Sequence, residues 1–218
     1  MTDTITIIGS GNMARGIGTR AVAAGRAVQI LSRDETAARA LVTELGASVT
    51  SDAIALPFAG EIAGDIVVLA VPYDSARELV TGLGAQLAGK TVIDISNPID
   101  FATFDALTVA PGTSAAEELA ALAADGVNIV KAFNTTFAGP LAAGAVDGKP
   151  LDVFIAGESK DAKDAVALFV TDAALRPIDV GPLRRARELE GFQLLIMTLQ
   201  VNSAHASFNW NTAVNVLV

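Results

Sequence analysis

The chain has 218 residues, 51% of them hydrophobic and 18% charged, with a net charge of −9. That length suits one dinucleotide-sized domain with a small appendage, and the negative balance disfavours nucleic acid and anionic membrane surfaces as partners. Cysteine is absent and histidine occurs once, at His205, which excludes disulfides, thiolate catalysis, thiolate metal sites and a histidine metal cluster.

Residues 4–8 are an apolar strand that begins almost at once, leaving no room for a signal peptide. The apolar run at 65–71 is too short to span a bilayer, so a cytoplasmic location is expected. The strand leads into Gly9-Ser-Gly-Asn-Met-Ala14, a G-x-G-x-x-A turn. Gly9 permits a sharp turn, Gly11 lets a pyrophosphate approach the main chain, and Ala14 keeps helix and strand close. A helix over 12–24, stopped by Gly25, presents its free N–H groups to the phosphates. Ser10, Asn12 and Met13 belong to the same loop. A glycine pattern alone is weak evidence; its place between a strand and a helix raises its weight.

A second strand at 27–31 ends at Ser32-Arg33. Domains that bind NAD place a carboxylate here for the ribose 2′-hydroxyl. A hydroxyl followed by a guanidinium suits a 2′-phosphate instead, which predicts NADP. Asp34 caps the helix that follows. A short third strand is expected at 47–50.

The run at 65–71 reads as a central strand buried on both faces. A helix at 73–87, a strand at 91–95 ending in Ser-Asn97-Pro, and a loop to 113 come next. Ser114 and Glu117 form a capping box for a helix over 114–124. Strands at 127–133, 151–156 and 177–180 and a helix at 159–170 complete the alternation. The order predicts an α/β fold, a Rossmann-type doubly wound parallel sheet with a small C-terminal helical part. Residues 1–180 form the NADP-binding domain, and 181–218 a helical segment for dimerisation and the active site. Ligands bind outside the carboxyl ends of such strands. The turns at Gly9–Met13, Ser32–Arg33, Val71-Pro72-Tyr73, Asn97-Pro98 and Asn134–Thr136 are therefore expected to line one crevice.

The helix at 188–201 has little polar face, so a second burial surface is expected, and a homodimer is predicted. The only tyrosine, Tyr73, is followed four residues later by Arg77, so the Tyr-x-x-x-Lys proton donor of short-chain dehydrogenases is missing. The edge is poor in acids and bases. That suits hydride transfer between two redox cofactors, where apposition of the rings is the main requirement. Asn134 and Thr135, with Thr136, either orient the nicotinamide or second ring or cap the next helix. Tyr73 either stacks on the nicotinamide or packs. Lys131 is expected as a solvated strand-end lysine rather than a buried functional amine. Arg184, Arg185 and Arg187 are expected to pair with carboxylates, and His205 to lie at a surface or interface.

Several segments together resemble a known family. Ile8-Gly-Ser-Gly-Asn-Met13, Leu31-Ser-Arg33, Leu69-Ala-Val-Pro72, Val130-Lys-Ala-Phe-Asn-Thr135 and Asp179-Val-Gly-Pro-Leu183 resemble the coenzyme F420-dependent NADP oxidoreductases. They are equally similar to the cytosolic domain of the six-transmembrane metalloreductases. The resemblance implies a dimeric Rossmann protein that moves hydride between NADP(H) and a deazaflavin (coenzyme F420) or flavin (FMN or FAD). It places Ser10, Asn12 and Met13 in the phosphate loop and Ser32-Arg33 at the 2′-phosphate. Val71-Pro72 would border the nicotinamide, with Asn134 and Thr135 near the transferring rings. The deazaflavin enzymes carry a histidine where Asn134 stands, and the metalloreductase-like form works with flavin. Phe208-Asn-Trp-Asn211 matches neither, and Trp210 is expected to close over a bound ring. Alternative expectations are an imine or pyrroline-carboxylate reductase, which would carry a longer helical domain, and a non-catalytic NADPH-sensing module.

Overall fold

The computed structural model describes residues 4–46, 48–56 and 59–217. In chain order the elements are β1 (Thr4–Ile8), α1 (Asn12–Ala23), β2 (Ala27–Ser32), α2 (Glu35–Leu45), β3 (Val49–Ala53), β4 (Ile66–Leu69), α3 (Tyr73–Leu83) and β5 (Thr91–Asp94). There follow α4 (Ala115–Leu122), β6 (Asn128–Lys131), α5 (Ala138–Ala143), β7 (Ala145–Val146), β8 (Lys149–Pro150), β9 (Asp152–Gly157), α6 (Lys160–Asp172), β10 (Arg176–Gly181) and α7 (Ala186–Val201). The third strand begins later than expected; Ala47, in the expected span, lies outside the described residues.

The sheet order is β10-β9-β6-β5-β4-β1-β2-β3. β1 to β6 pair in parallel, in the arrangement 3-2-1-4-5-6 that makes a Rossmann fold. Their register aligns the strand ends, so that Leu31, Ile8, Leu69, Asp94 and Lys131 form one row. Every turn just beyond this row opens at the same edge. Strand direction changes at one place: β9 pairs antiparallel with β6, and β10 follows β9. The chain leaves β6 at the ligand edge. α5 and the β7–β8 hairpin do not carry it back across the sheet, so β9 re-enters from that edge. The sheet is thus mostly parallel, and β9 and β10 point their carboxyl ends away from the crevice.

Side-chain alternation splits the core between the two faces. Ile5, Ile7, Ile66 and Val68 pack with Ala14, Ile17 and Leu141 on one side. Ile8, Val67 and Leu69 pack with Leu79, Val80 and Leu119 on the other. The α7 helix is only half covered. Its buried residues include Leu189, Glu190, Gln193 and Gln200, while Phe192, Leu195 and Val201 face outward.

Candidate active site

The strand edge carries two cavities that share Gly11, Ala70, Val71 and Pro72 on their walls. The first, about 640 Å³, takes in Gly9, Ser10, Ser32 and Arg33 with the apolar Ile54, Leu56 and Leu79. The second, about 630 Å³, takes in Asn12, Met13, Tyr73, Arg77, Ser96, Asn97, Phe101, Glu118 and Met197. Together they form a cleft with two chambers and a common middle.

The turn that enters this middle has the features of a phosphate loop. Gly9 sits at φ +128°, and a Cβ there would meet the Ala70 carbonyl oxygen at 2.2 Å. Only glycine fits. Gly11 differs: a Cβ there would meet nothing within 4 Å. The chain's own packing does not demand glycine at this point, whereas close approach of a pyrophosphate does. The α1 helix begins at Gly11 without a side-chain cap and without an acidic residue in its first turn. Its first N–H groups remain free for an anion, and the helix dipole favours one. By contrast α2, α4 and α6 are closed by Asp34, Ser114 and Ser159. Asn12 is used internally, its Oδ1 accepting from Arg15 Nη1 at 3.0 Å.

At the end of β2, Ser32 is buried and its hydroxyl lies 2.9 Å from that of Ser10. The Asp34 amide donates to Ser32 Oγ at 3.2 Å, and Asp34 itself caps α2. Arg33 is exposed on the rim of the first chamber. The residues present fit an adenosine 2′-phosphate: an exposed cation, two linked hydroxyls and an apolar slot.

The Asn97 amide, on the wall of the second chamber, is locked to that of Asn134, which is buried behind it and lines neither chamber. Asn97 Nδ2 donates to the Asn134 carbonyl, and Asn134 Nδ2 donates to Asn97 Oδ1, both at 3.0 Å. The backbone carbonyl can only accept, so it fixes both amide orientations. Asn134 Oδ1 is thereby left as a buried acceptor with no partner, and the buried Ser96 hydroxyl next door is also unpartnered. Buried polar atoms are normally satisfied, so both are open to a hydrogen-bonding partner. A carboxamide, with a donor and an acceptor side by side, fits both. Phe133 aims the pair: it is fully buried, packs on Phe169, and is held at φ +63°. Thr136 Oγ1 donates back to the Phe133 carbonyl at 3.0 Å. Thr135 and Thr136 are buried behind the pair and line neither chamber.

Tyr73 is not free to stack. Its hydroxyl donates to Glu118 on α4, and the Arg77 guanidinium lies over its ring, 5.7 Å from the centroid. Burial first, then the bond to Glu118, pushes the phenol well above its ordinary value. It keeps its proton and is a poor general acid. The lining residues of this chamber include no histidine, lysine or cysteine, and no group of three metal-binding side chains occurs among the described residues.

Lys131 is the largest correction to the sequence reading. It is fully buried, and its three ammonium protons are all taken: by Asp94 Oδ2 at 2.8 Å, Glu190 Oε1 at 2.7 Å and the Ser96 carbonyl at 2.6 Å. Glu190 also accepts from the Ala115 amide at 3.0 Å, at the N-terminus of α4. Burial alone would lower the Lys131 pKa, but the two carboxylates override it and hold the group charged. Burial raises Glu190, with Lys131 opposing. Asp94 and Lys131 are register partners on β5 and β6, so the sheet itself brings them together.

The basic cluster after β10 largely follows expectation: Arg187 forks onto Glu117 and Arg185 meets Glu188. His205 lies exposed in the turn beyond α7, edge-on to Phe208. Trp210 lines neither chamber; it packs between Phe104 and Phe137. Phe101, Glu118 and Met197 carried no motif in the sequence, yet all three line the second chamber.

A Rossmann sheet, an uncapped helix behind a glycine turn and a basic rim at β2 define a protein of the dinucleotide-binding class. The family model described as NADP oxidoreductase, coenzyme F420-dependent, matches residues 4–98. The F420-dependent NADP reductase of Methanothermobacter thermautotrophicus is 26% identical over 89% of this chain and 88% of its own. Metalloreductase STEAP3 of Rattus norvegicus is 33% identical over 88% of this chain, which spans only 37% of that relative's length. A solved structure of a hypothetical protein, SMa0349 from Sinorhizobium meliloti, is 34% identical, with a TM-score of 0.73 over 84% of this chain and 86% of that one. Over residues 4–98 the chain is thus similar to the coenzyme F420-dependent NADP oxidoreductases, and over most of its length to an F420-dependent NADP reductase.

Proposed function

We propose that this NADP oxidoreductase passes hydride between NADPH and a planar tricyclic acceptor, a deazaflavin such as coenzyme F420 or a flavin such as FMN or FAD. One observation carries the reading: two chambers of similar size meet at Gly11, Ala70, Val71 and Pro72. One chamber has phosphate-binding features, and the other sets Pro98, Phe101 and Met197 among polar side chains, with its one phenol tied up.

In this reading the α1 N-terminus, Ser10, Asn12 and Met13 hold the pyrophosphate, and Ser32-Arg33 hold the 2′-phosphate. Asn134 Oδ1 and the Ser96 hydroxyl orient the nicotinamide carboxamide, with Asn97 fixing Asn134. Asn134 and Thr135 are the catalytic candidates, on a turn that Thr136 ties back to the Phe133 carbonyl. Val71-Pro72 forms the wall between the chambers, and Tyr73 braces α3 against α4. When bound, NADPH supplies two electrons as hydride, and a proton from solvent balances the reduced acceptor. The protein's task is then apposition and exclusion of water. Residues 1–180 act as the NADP-binding unit, and 181–218 close the acceptor side. The outward apolar face of α7 pairs with a second copy, giving a homodimer; a monomer mass that persists in light scattering at micromolar concentration would contradict this. No helix among the described residues is long and apolar enough to cross a membrane; in this reading the unit works in the cytoplasm on diffusible cofactors.

The test is anaerobic absorbance at 340 nm with NADPH and, in separate cuvettes, coenzyme F420, FMN and FAD. Oxidation of NADPH matched by bleaching of one acceptor is expected. Tight NADPH binding with no turnover of any of the three would favour the sensing module instead.

A further inference from the structure

The loop between β5 and α4 carries an aromatic residue that the site as described does not use. Phe101 is 61% exposed and lines the second chamber. A single exposed phenylalanine is ordinary, but this one is held in place. The Asp100 amide bonds to the Ala106 carbonyl at 2.9 Å, and the Thr108 amide to the Pro98 carbonyl at 2.6 Å, closing the loop at its base. Asp100 also caps the tip, taking the Ala102 amide and the Thr103 hydroxyl. Phe101 meets Phe104 edge to face at 5.7 Å, and Phe104 meets Trp210 at 6.2 Å.

Two members of this row are strained. Phe104 and Trp210 sit at φ +52° and +64°. Bulky residues rarely hold such values, and where they do the surroundings enforce them, often at ligand sites. Here α7 does the enforcing. Thr198 Oγ1 donates to the Phe104 carbonyl at 3.1 Å, and Gln200 Oε1 receives the Trp210 amide at 2.9 Å and the Thr212 hydroxyl at 3.0 Å. Farther along, Asn215 and Val216 bind Pro150 and Asp152. Residues 209–217 therefore form a strap tied to α7 at one end and to β9 at the other.

We propose that Phe101 stacks on the planar ring system of the acceptor, and that the strap, through Trp210 and Phe104, sets the position of that ring. This rests on reading the second chamber as the acceptor site. A pre-positioned aromatic face recognises a tricyclic ring without reference to its substituents, so deazaflavin and flavin both fit.

The experiment is calorimetric titration of the NADP⁺-bound protein with FMN, and in a second arm with coenzyme F420. Phe101→Ala is expected to weaken ring binding about tenfold, with Phe101→Tyr retaining it and NADP⁺ affinity unchanged in both. Trp210→Ala is expected to weaken it in the same direction, and Trp210→Phe to spare it. Equal affinity in wild type and Phe101→Ala, with both folded by circular dichroism, overturns the proposal and leaves the hydride-transfer reading intact. A wild-type protein that binds neither ring overturns both.

Discussion

The two chambers are alike in size and opposite in construction. The first is assembled within residues 8–79: the β1–α1 turn, the end of β2, the segment after β3, the end of β4 and α3. Its key groups are backbone N–H donors and positions without a side chain. The second is assembled from α3, the loop after β5, α4 and α7, and its key groups are side chains that meet only on folding. Thr198 and Phe104, which hold its wall together, are 94 residues apart. The family model ends at residue 98, three residues short of Phe101. The nucleotide side as proposed thus rests on backbone geometry in the first eighty residues, and the acceptor side as proposed on side chains drawn from the whole chain.

The sharpest way to break this contrast is Lys131→Met, because Lys131 serves both regions through β5, β6 and α7. It leaves Asp94 and Glu190 buried without their cation, and a loss of about 3–5 kcal/mol in urea unfolding is expected. Gly11→Val tests the first chamber alone. The added side chain meets no protein atom at its Cβ, so folding stability should change by no more than about 1 kcal/mol. NADPH affinity should fall on the order of a hundredfold as the phosphate is pushed off the backbone. Arg33→Ala should weaken NADPH by roughly tenfold, the scale of one charge-assisted hydrogen bond, and leave NADH unchanged in the same fluorescence titration. Ser114→Ala, confined to the second region, removes the α4 cap and should cost about 1 kcal/mol.

The smallest effect is one of pH. Burial raises the Asp152 pKa, but Arg176, the Val216 amide and Asn215 together outweigh it and hold the carboxyl below its ordinary value. A depressed carboxyl contributes stability that is present above its unfolded pKa and is lost as pH falls through the folded one. The melting temperature should therefore drop below about pH 4, the ordinary range of aspartate, and Asp152→Asn should flatten that drop. The same variant should speed proteolysis at 209–217, since Val216 is tied to Asp152.

What was legible in the sequence follows the same division. Gly9–Ala14 as a strand-to-helix turn and Ser114 as a helix cap are legible within a few residues, and the structure has both so; Ser32-Arg33 stand at the end of β2 on the first chamber, as their position in the strand predicts. The exchange of direction at β9 was not legible, because apolar alternation reads the same in either direction and only the path after β6 decides it. Lys131 was misread for a related reason. A lysine at a strand end is usually solvated, and its two counter-charges stand 37 and 59 residues away. The locking of the Asn134 amide was not legible, since Asn97 reaches it only across the sheet.

The Lys131 cluster has a bearing on how the chain is made. Synthesis runs from the N-terminus, and β6 is complete long before Glu190 leaves the ribosome. Until then a buried ammonium has one carboxylate instead of two, and α4 lacks the acceptor for its first amide. The Rossmann half can therefore collapse early but cannot close its central layer until α7 arrives. A nascent chain held before residue 190 should remain open to protease at β5 and β6, however well its nucleotide turn has formed.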